Sequence, residues 1–215
     1  MLELYQAVYE NAQTELAAGL GTEQAVMGAY TSCLSAQISL ESLDASLASV
    51  YQSLCHLLGV DEDGSMEMAE IPQPELEKIS QMDLAADTAL AISSNIDIIS
   101  ERSASTDGST TDGERKNRAI DELKSKVTIG MEELYHQVLE AKTAYDAAET
   151  GLSSAKITWE NAQRKYSMGM LSRAEYLQAE SSYLQKESAF KAAGLSLFQT
   201  MENYSWGANG VMELS

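Results

Sequence analysis

The sequence predicts an all-α protein: an elongated bundle of long antiparallel coiled-coil helical hairpins, arranged as two internal repeats offset by 150 residues. Three observations predict it. The composition is helix-forming, dominated by Ala, Ser, Leu and Glu, with only two prolines and two phenylalanines in 215 residues. Apolar residues recur at alternating steps of four and three, a period of 3.5 that holds one helix face against a partner. The tetrapeptide Glu-Asn-Ala-Gln occurs at 10–13 and again at 160–163, each time behind an aromatic residue, Tyr9 or Trp159.

Residues 1–59 form a truncated first hairpin repeat. Leu2, Tyr5, Tyr9, Ala12 and Leu16 trace the end of one helix. After Gly19 a second seam runs through Val26, Ala29, Cys33, Ala36, Leu40, Leu43, Leu47, Val50, Leu54 and Leu57. Residues 60–83 are a connector, marked by Asp61-Glu62-Asp63-Gly64 and Ile71-Pro72-Gln73-Pro74. Residues 84–215 are the second repeat. It opens with a helix over 84–103, of about five turns, and a flexible loop over 104–116 rich in Ser, Thr, Asp and Gly. A long helix begins near Glu114. Its seam is unbroken from Val127 through Met131, Leu134, Val138, Ala141, Tyr145, Ala148, Leu152, Ala155, Trp159 and Ala162 to Tyr166. Ile120 extends the seam by one repeat, with Lys124 as a flaw. From Ile120 to Tyr166 such a rod is roughly 70 Å long. One column is large and the other is alanine, which lets neighbouring helices interdigitate closely. A tip turn follows at 169–171. The last helix carries Tyr176, Ala179, Tyr183, Phe190, Ala193, Leu197 and Tyr204, interrupted by Lys186 and Thr200.

With the offset held at 150, Gly19 meets Gly169, Thr22 meets Ser172 and Leu47 meets Leu197 without a gap. The two glycines stand where a helix end commonly turns left-handed. Thr22 and Ser172 stand where the next helix needs an N-cap, and Glu175 completes a capping-box spacing with Ser172.

Bulk properties exclude several functions. A net charge of −19 repels phosphate backbones, so nucleic acid is not an expected partner. No stretch reaches the ~18 apolar residues of a spanning helix. Met1-Leu2-Glu3-Leu4 has neither a basic nor an apolar leader region, so a signal peptide is absent or was removed. Cys33 lies on the seam and reads as a buried small hydrophobe, and Cys55 is too far along the same helix to pair with it. His56 and His136 have no second ligand at helical spacing. Asp61–Gly64 and the two Thr-Asp-Gly steps at 106–108 and 111–113 lack the full spacing of a calcium loop. No metal and no cofactor is expected. No nucleophile elbow, phosphate loop or histidine–carboxylate constellation is present, and the chain does not read as an enzyme.

Tyr166-Ser167-Met168-Gly169-Met170-Leu171-Ser172-Arg173-Ala174-Glu175-Tyr176-Leu177-Gln178-Ala179-Glu180 resembles the tip segment of TolC-type outer-membrane efflux proteins, roughly Tyr-x-x-Gly-x-x-Ser-x-x-Asp-Tyr-Leu-x-Ala-Glu. Leu16–Thr22 resembles it more loosely. Leu57-Leu58-Gly59 and Ala85–Ala91 are similar to the close of that family's first repeat and the opening of its second. The resemblance implies a trimeric helical duct whose tips dock a periplasmic-type adaptor protein. It implies partner-binding positions at Gly19, Leu20, Thr22, Gly169, Met170 and Ser172, and an aperture acid at Glu175, with Ala25 in the matching place of the first copy. It implies an extracytoplasmic location. The family's β-barrel strands have no counterpart here. The other reading is a structural coiled-coil scaffold that binds a partner and transports nothing.

Overall fold

A computed structural model describes residues 1–60, 72–105 and 109–212. Among them the protein is all-α, with seven helices and no strand: α1 (Leu2–Ala17), α2 (Glu23–Leu58), α3 (Leu76–Gln81), α4 (Leu84–Ser94), α5 (Ile96–Ser103), α6 (Thr110–Ser167) and α7 (Arg173–Ala208). Asp61–Gly64 and Thr106–Gly108 lie outside the described residues. Packing divides the chain into two compact units, Met1–Glu70 with Gly151–Glu187, and Ile71–Thr150 with Ser188–Ser215.

In the first unit, α1 turns at Gly19 and α2 returns along it, with the rings of Tyr9 and Tyr30 5.5 Å apart. The ends of α6 and α7 are joined by a second tight turn. Trp159 stacks on Tyr183 and Tyr166 on Tyr176, both at 4.9 Å between ring centres. Seven residues separate Tyr166 from Trp159 going back along α6 and Tyr176 from Tyr183 going forward along α7, so the two segments run antiparallel. A small core of Leu4, Ala7 and Leu177, flanked by Tyr176, joins α1 to α7. Ser181 Oγ lies 2.7 Å from Met1 Sδ.

The second unit holds the larger core. Ile120, Val127, Met131, Val138, Ala141 and Tyr145 from α6 pack with Leu197, Met201 and Tyr204 from α7 and with Ile79, Ala91 and Ile98 from α3, α4 and α5. Glycine permits the closest approach: a Cβ on Gly207 would sit 2.6 Å from Leu134 Cδ1. Tyr204 is buried, and its hydroxyl donates to Asp87 Oδ2 at 2.7 Å. Burial first, then that hydrogen bond and the carboxylate charge, hold its phenol well above the ordinary tyrosine range.

Two boundaries differ from the sequence expectation. The helix expected over 84–103 is broken at Asn95. This residue adopts an extended backbone (φ −66°, ψ 126°), and its Oδ1 accepts the N–H groups of Asp97 and Ile98 to start α5. Asn95 is buried, and its Nδ2 donates to the Gly210 carbonyl at 3.3 Å. The long helix starts at Thr110, inside the expected 104–116 loop, because Ser109 Oγ accepts the Asp112 N–H at 3.3 Å as an N-cap. Within the expected connector 60–83, residues 76–81 form α3.

The seam of α2 is a third difference. Val26, Ala29, Cys33 and Ala36 are half-buried, so Cys33 is not the fully enclosed residue its heptad position suggested. Beyond them Leu40, Leu43, Leu47 and Val50 are all exposed. Among the described residues α1 reaches along α2 as far as Leu40 and Leu43, which share a cleft with Met1, Leu2 and Tyr5. Cys55, farther on, is fully buried.

Candidate functional site

The candidate site is the pair of tight turns in the first unit. At each, the glycine has positive φ, +74° at Gly19 and +71° at Gly169. The same two hydrogen bonds close both. Gly19 N–H donates to the Leu16 carbonyl at 3.0 Å, and Leu20 N–H donates to Glu15 at 2.9 Å. Gly169 N–H donates to Tyr166 and Met170 N–H to Lys165, each at 2.9 Å. This is the Schellman arrangement, in which two orphan carbonyls of the helix end find donors and the chain leaves sharply. The glycine is needed because a Cβ in the left-handed region costs about 1–2 kcal/mol.

The residue after each glycine is an apolar side chain held in solvent. Leu20 is 84% exposed and Met170 is 70% exposed, with Met168 alongside, also in the open. The Schellman geometry commonly tucks this position against its own helix; here both side chains project.

The two turns differ in how the next helix starts. Thr22 accepts the Ala25 N–H at 3.2 Å and nothing returns the favour. Ser172 Oγ accepts the Glu175 N–H at 3.2 Å, while Glu175 Oε2 accepts the Ser172 N–H at 2.9 Å and the Ser172 hydroxyl at 2.7 Å. This is a complete capping box. The hydroxyl bond first, and the backbone bond second, hold the Glu175 carboxyl below the ordinary glutamate value. Gly21 also differs from its counterpart Leu171: a Cβ there would lie 2.8 Å from the Leu16 backbone nitrogen. The first turn is therefore wound more tightly onto its helix.

The turns are not level. The guanidinium of Arg173, at the start of α7, lies 3.7 Å from the carboxylate of Glu10. From that level α1 continues for Asn11–Ala17, about 10 Å at 1.5 Å per residue, before its own turn begins. Sequence reasoning paired the turns by their matching residues but gave no sign of this offset, which is set by which α1 turn meets Tyr176 and Leu177.

All seven candidate residues therefore fall at the two turns, with Glu175 committed to its own cap. In the second unit a cleft of about 410 Å³ opens between α3, α4 and α7, lined by Lys78, Met82, Asp87, Met201 and Glu202 among others. Two of its charged groups already have partners: Lys78 bridges Glu75 at 2.9 Å, and Asp87 accepts from Tyr204. Among the described residues no group of three or more His, Cys, Asp or Glu side chains is placed to hold a metal ion, and no helix is long and apolar enough to cross a membrane. Cys33 and Cys55 are free thiols. No family model, no curated protein and no solved structure matches the chain.

Proposed function

We propose that the chain is a subunit of an export or efflux assembly of the TolC type, in which two antiparallel coiled-coil hairpins, related by the 150-residue repeat, contribute to a helical duct and dock an adaptor protein through their tips. One observation carries the reading: two glycine turns of the same geometry, in one compact unit, each presenting an exposed apolar residue, Leu20 or Met170. An isolated helix end has no use for such a side chain in water, whereas a partner hairpin provides a surface that buries it. The Tyr166–Glu180 segment, similar to that family's tip, supplies the identity of the partner: an extracytoplasmic adaptor with helical-hairpin ends. On this reading the subunit self-associates, as a trimer by resemblance. Glu175 does not act as a free aperture charge, because its carboxylate is bound to Ser172.

A photo-crosslinking amino acid at Met170, compared with one at the exposed Ile157, tests this in the native envelope. The expected result is a crosslink to a hairpin-bearing adaptor from position 170 alone, lost in Leu20→Glu and diminished in Gly169→Pro, with helicity unchanged in the former. Equal crosslinking from both positions, or capture that survives Leu20→Glu, removes the tip reading and leaves the scaffold.

A further inference from the structure

Of the asparagines in this chain, Asn209 alone is followed by glycine. That step has a chemistry of its own. With no side chain on the next residue, its backbone nitrogen can approach the asparagine Cγ unhindered and close a five-membered ring.

The fold holds the step in a form that does not react. Asn209 follows the last residue of α7, and its Nδ2 donates to the Ser205 carbonyl at 2.8 Å, which draws the amide back along the helix. The Gly210 N–H, whose nitrogen would be the nucleophile, donates to the Gly207 carbonyl at 2.9 Å. Val211 N–H donates to Trp206 at 3.0 Å and completes the turn. Gly210 is buried with φ +84°, and a Cβ on it would lie 2.6 Å from the Ser94 carbonyl carbon and 2.7 Å from its oxygen. The other side of this clasp is Asn95. Its Oδ1 starts α5, and its Nδ2 donates to the Gly210 carbonyl at 3.3 Å. The break between α4 and α5 and the end of α7 therefore close on each other through one buried amide and a tight backbone contact.

We propose that Asn209 is a deamidation site gated by this clasp, and that its modification holds the clasp open. When the end of α7 lifts off Asn95, the Gly210 nitrogen gives up its proton and bonds to Asn209 Cγ. The Cγ–Nδ2 bond breaks, and the side-chain nitrogen leaves with that proton as ammonia. Water then opens the cyclic imide at either carbonyl, giving aspartate or isoaspartate. Neither product restores the clasp. Both lose the Nδ2 donor to Ser205 and place a carboxylate at a helix C-terminus, where the macrodipole disfavours negative charge. Isoaspartate also lengthens the main chain by a methylene, directly before a glycine packed too closely on Ser94 to admit a Cβ. The site belongs to the second unit, and its test does not depend on adaptor docking at Leu20 and Met170.

The test is the rate of Asn209 conversion in the intact protein, followed by peptide mass mapping. Conversion in the native protein is expected to be at least about tenfold slower than in denaturing urea. Asn95→Ser keeps an oxygen to cap α5 and removes the donor to Gly210. It should speed conversion about tenfold, the expected effect of losing one buried hydrogen bond, with circular dichroism unchanged. In the parent chain the rate should stay nearly flat through sub-denaturing urea, because lifting one helix end exposes little surface. That measurement decides the matter if the variant fails to fold. Asn209→Asp should speed amide exchange at Gly210 and Val211. Native conversion as fast as in urea overturns the gate. So does a rate that climbs in step with global unfolding, or a folded Asn95→Ser that converts no faster. Unchanged exchange at Gly210 and Val211 in Asn209→Asp overturns the claim that the product holds the clasp open.

Discussion

α2 and α7 are helices of equal span, 36 residues each, entered through turns of the same geometry. In water they meet different fates. The interior of α7 is sealed against α6, with Leu197 and Tyr204 buried, whereas the matching stretch of α2 stands open at Leu47 and its neighbours. The comparison teaches that a heptad specifies the need for a partner helix and not its supply. The period is written in one strand of sequence; coverage depends on how much helix the other arm brings. It also separates two kinds of stability. The second unit draws on a continuous apolar core, and the open part of α2 on local helix propensity and hydrogen bonds alone.

The largest expected contrast lies between matched leucines. Leu197→Ala should cost about 2–5 kcal/mol in urea unfolding, as for other sealed core leucines. Leu47→Ala should fall within ~0.5 kcal/mol, the usual range of an exposed substitution. Equal costs would mean that α2 is covered in solution and would break the comparison outright.

The turns provide the next contrast. Gly21→Ala places a Cβ 2.8 Å from the Leu16 backbone nitrogen, so it should destabilise the first helix pair by about 1–3 kcal/mol. Leu171→Ala, at the matched position, should change thermal stability by less. A neutral Gly21→Ala would show that the first turn is looser than its hydrogen bonds indicate.

Smaller effects come from the caps. Ser172→Ala removes the hydroxyl's two bonds with Glu175 and leaves the backbone N–H bond to its carboxylate; it should lose about 1–2 kcal/mol, with Thr22→Ala toward the lower end of the ~0.5–2 kcal/mol range for such residues. Amide exchange at 172–176 and 22–26 would read each loss locally.

The smallest effect is that of pH. Glu175 has a carboxyl pKa lowered by its bonds from Ser172, so the folded state favours the ionised form more than the unfolded state does. Its contribution is therefore present above the ordinary glutamate value of 4.5 and is lost as pH falls through the depressed folded value. Amides around Ser172 should lose protection on acidification, while those around Thr22, matched with Ala25, should not. Glu175→Gln should abolish the difference between the turns.

Much of this was readable in the chain because it is local. Gly19 and Gly169 are turn residues for reasons the sequence displays: a glycine at the end of a periodic run, then a hydroxyl residue to cap the next helix. Ser172 and Glu175 announce their box by spacing alone. What escaped sequence reading depends on distant partners. Asn95 sits inside a helical pattern and looks like an ordinary polar-face residue; its role as a break is visible only once Gly210 approaches from 115 positions away. Ser109 was hidden in a Thr-Asp-Gly run with the composition of a loop. The exposure of Leu40–Val50 and the unequal height of the turns depend on which residues of α1 meet α2 and Leu177. Neither quantity has a local signature.

The packing of Leu4 and Ala7 against Leu177 sets a step between the two turns, with Arg173 beside Glu10. A flat surface approaching this end touches Leu20 and is held off Met170 by roughly 10 Å, the rise of seven helical residues. A partner that grips both must be terraced, or must arrive as two fingers of unequal reach. Any surface that meets both turns therefore has to match a step and not a plane, although the two turns offer nearly the same chemistry.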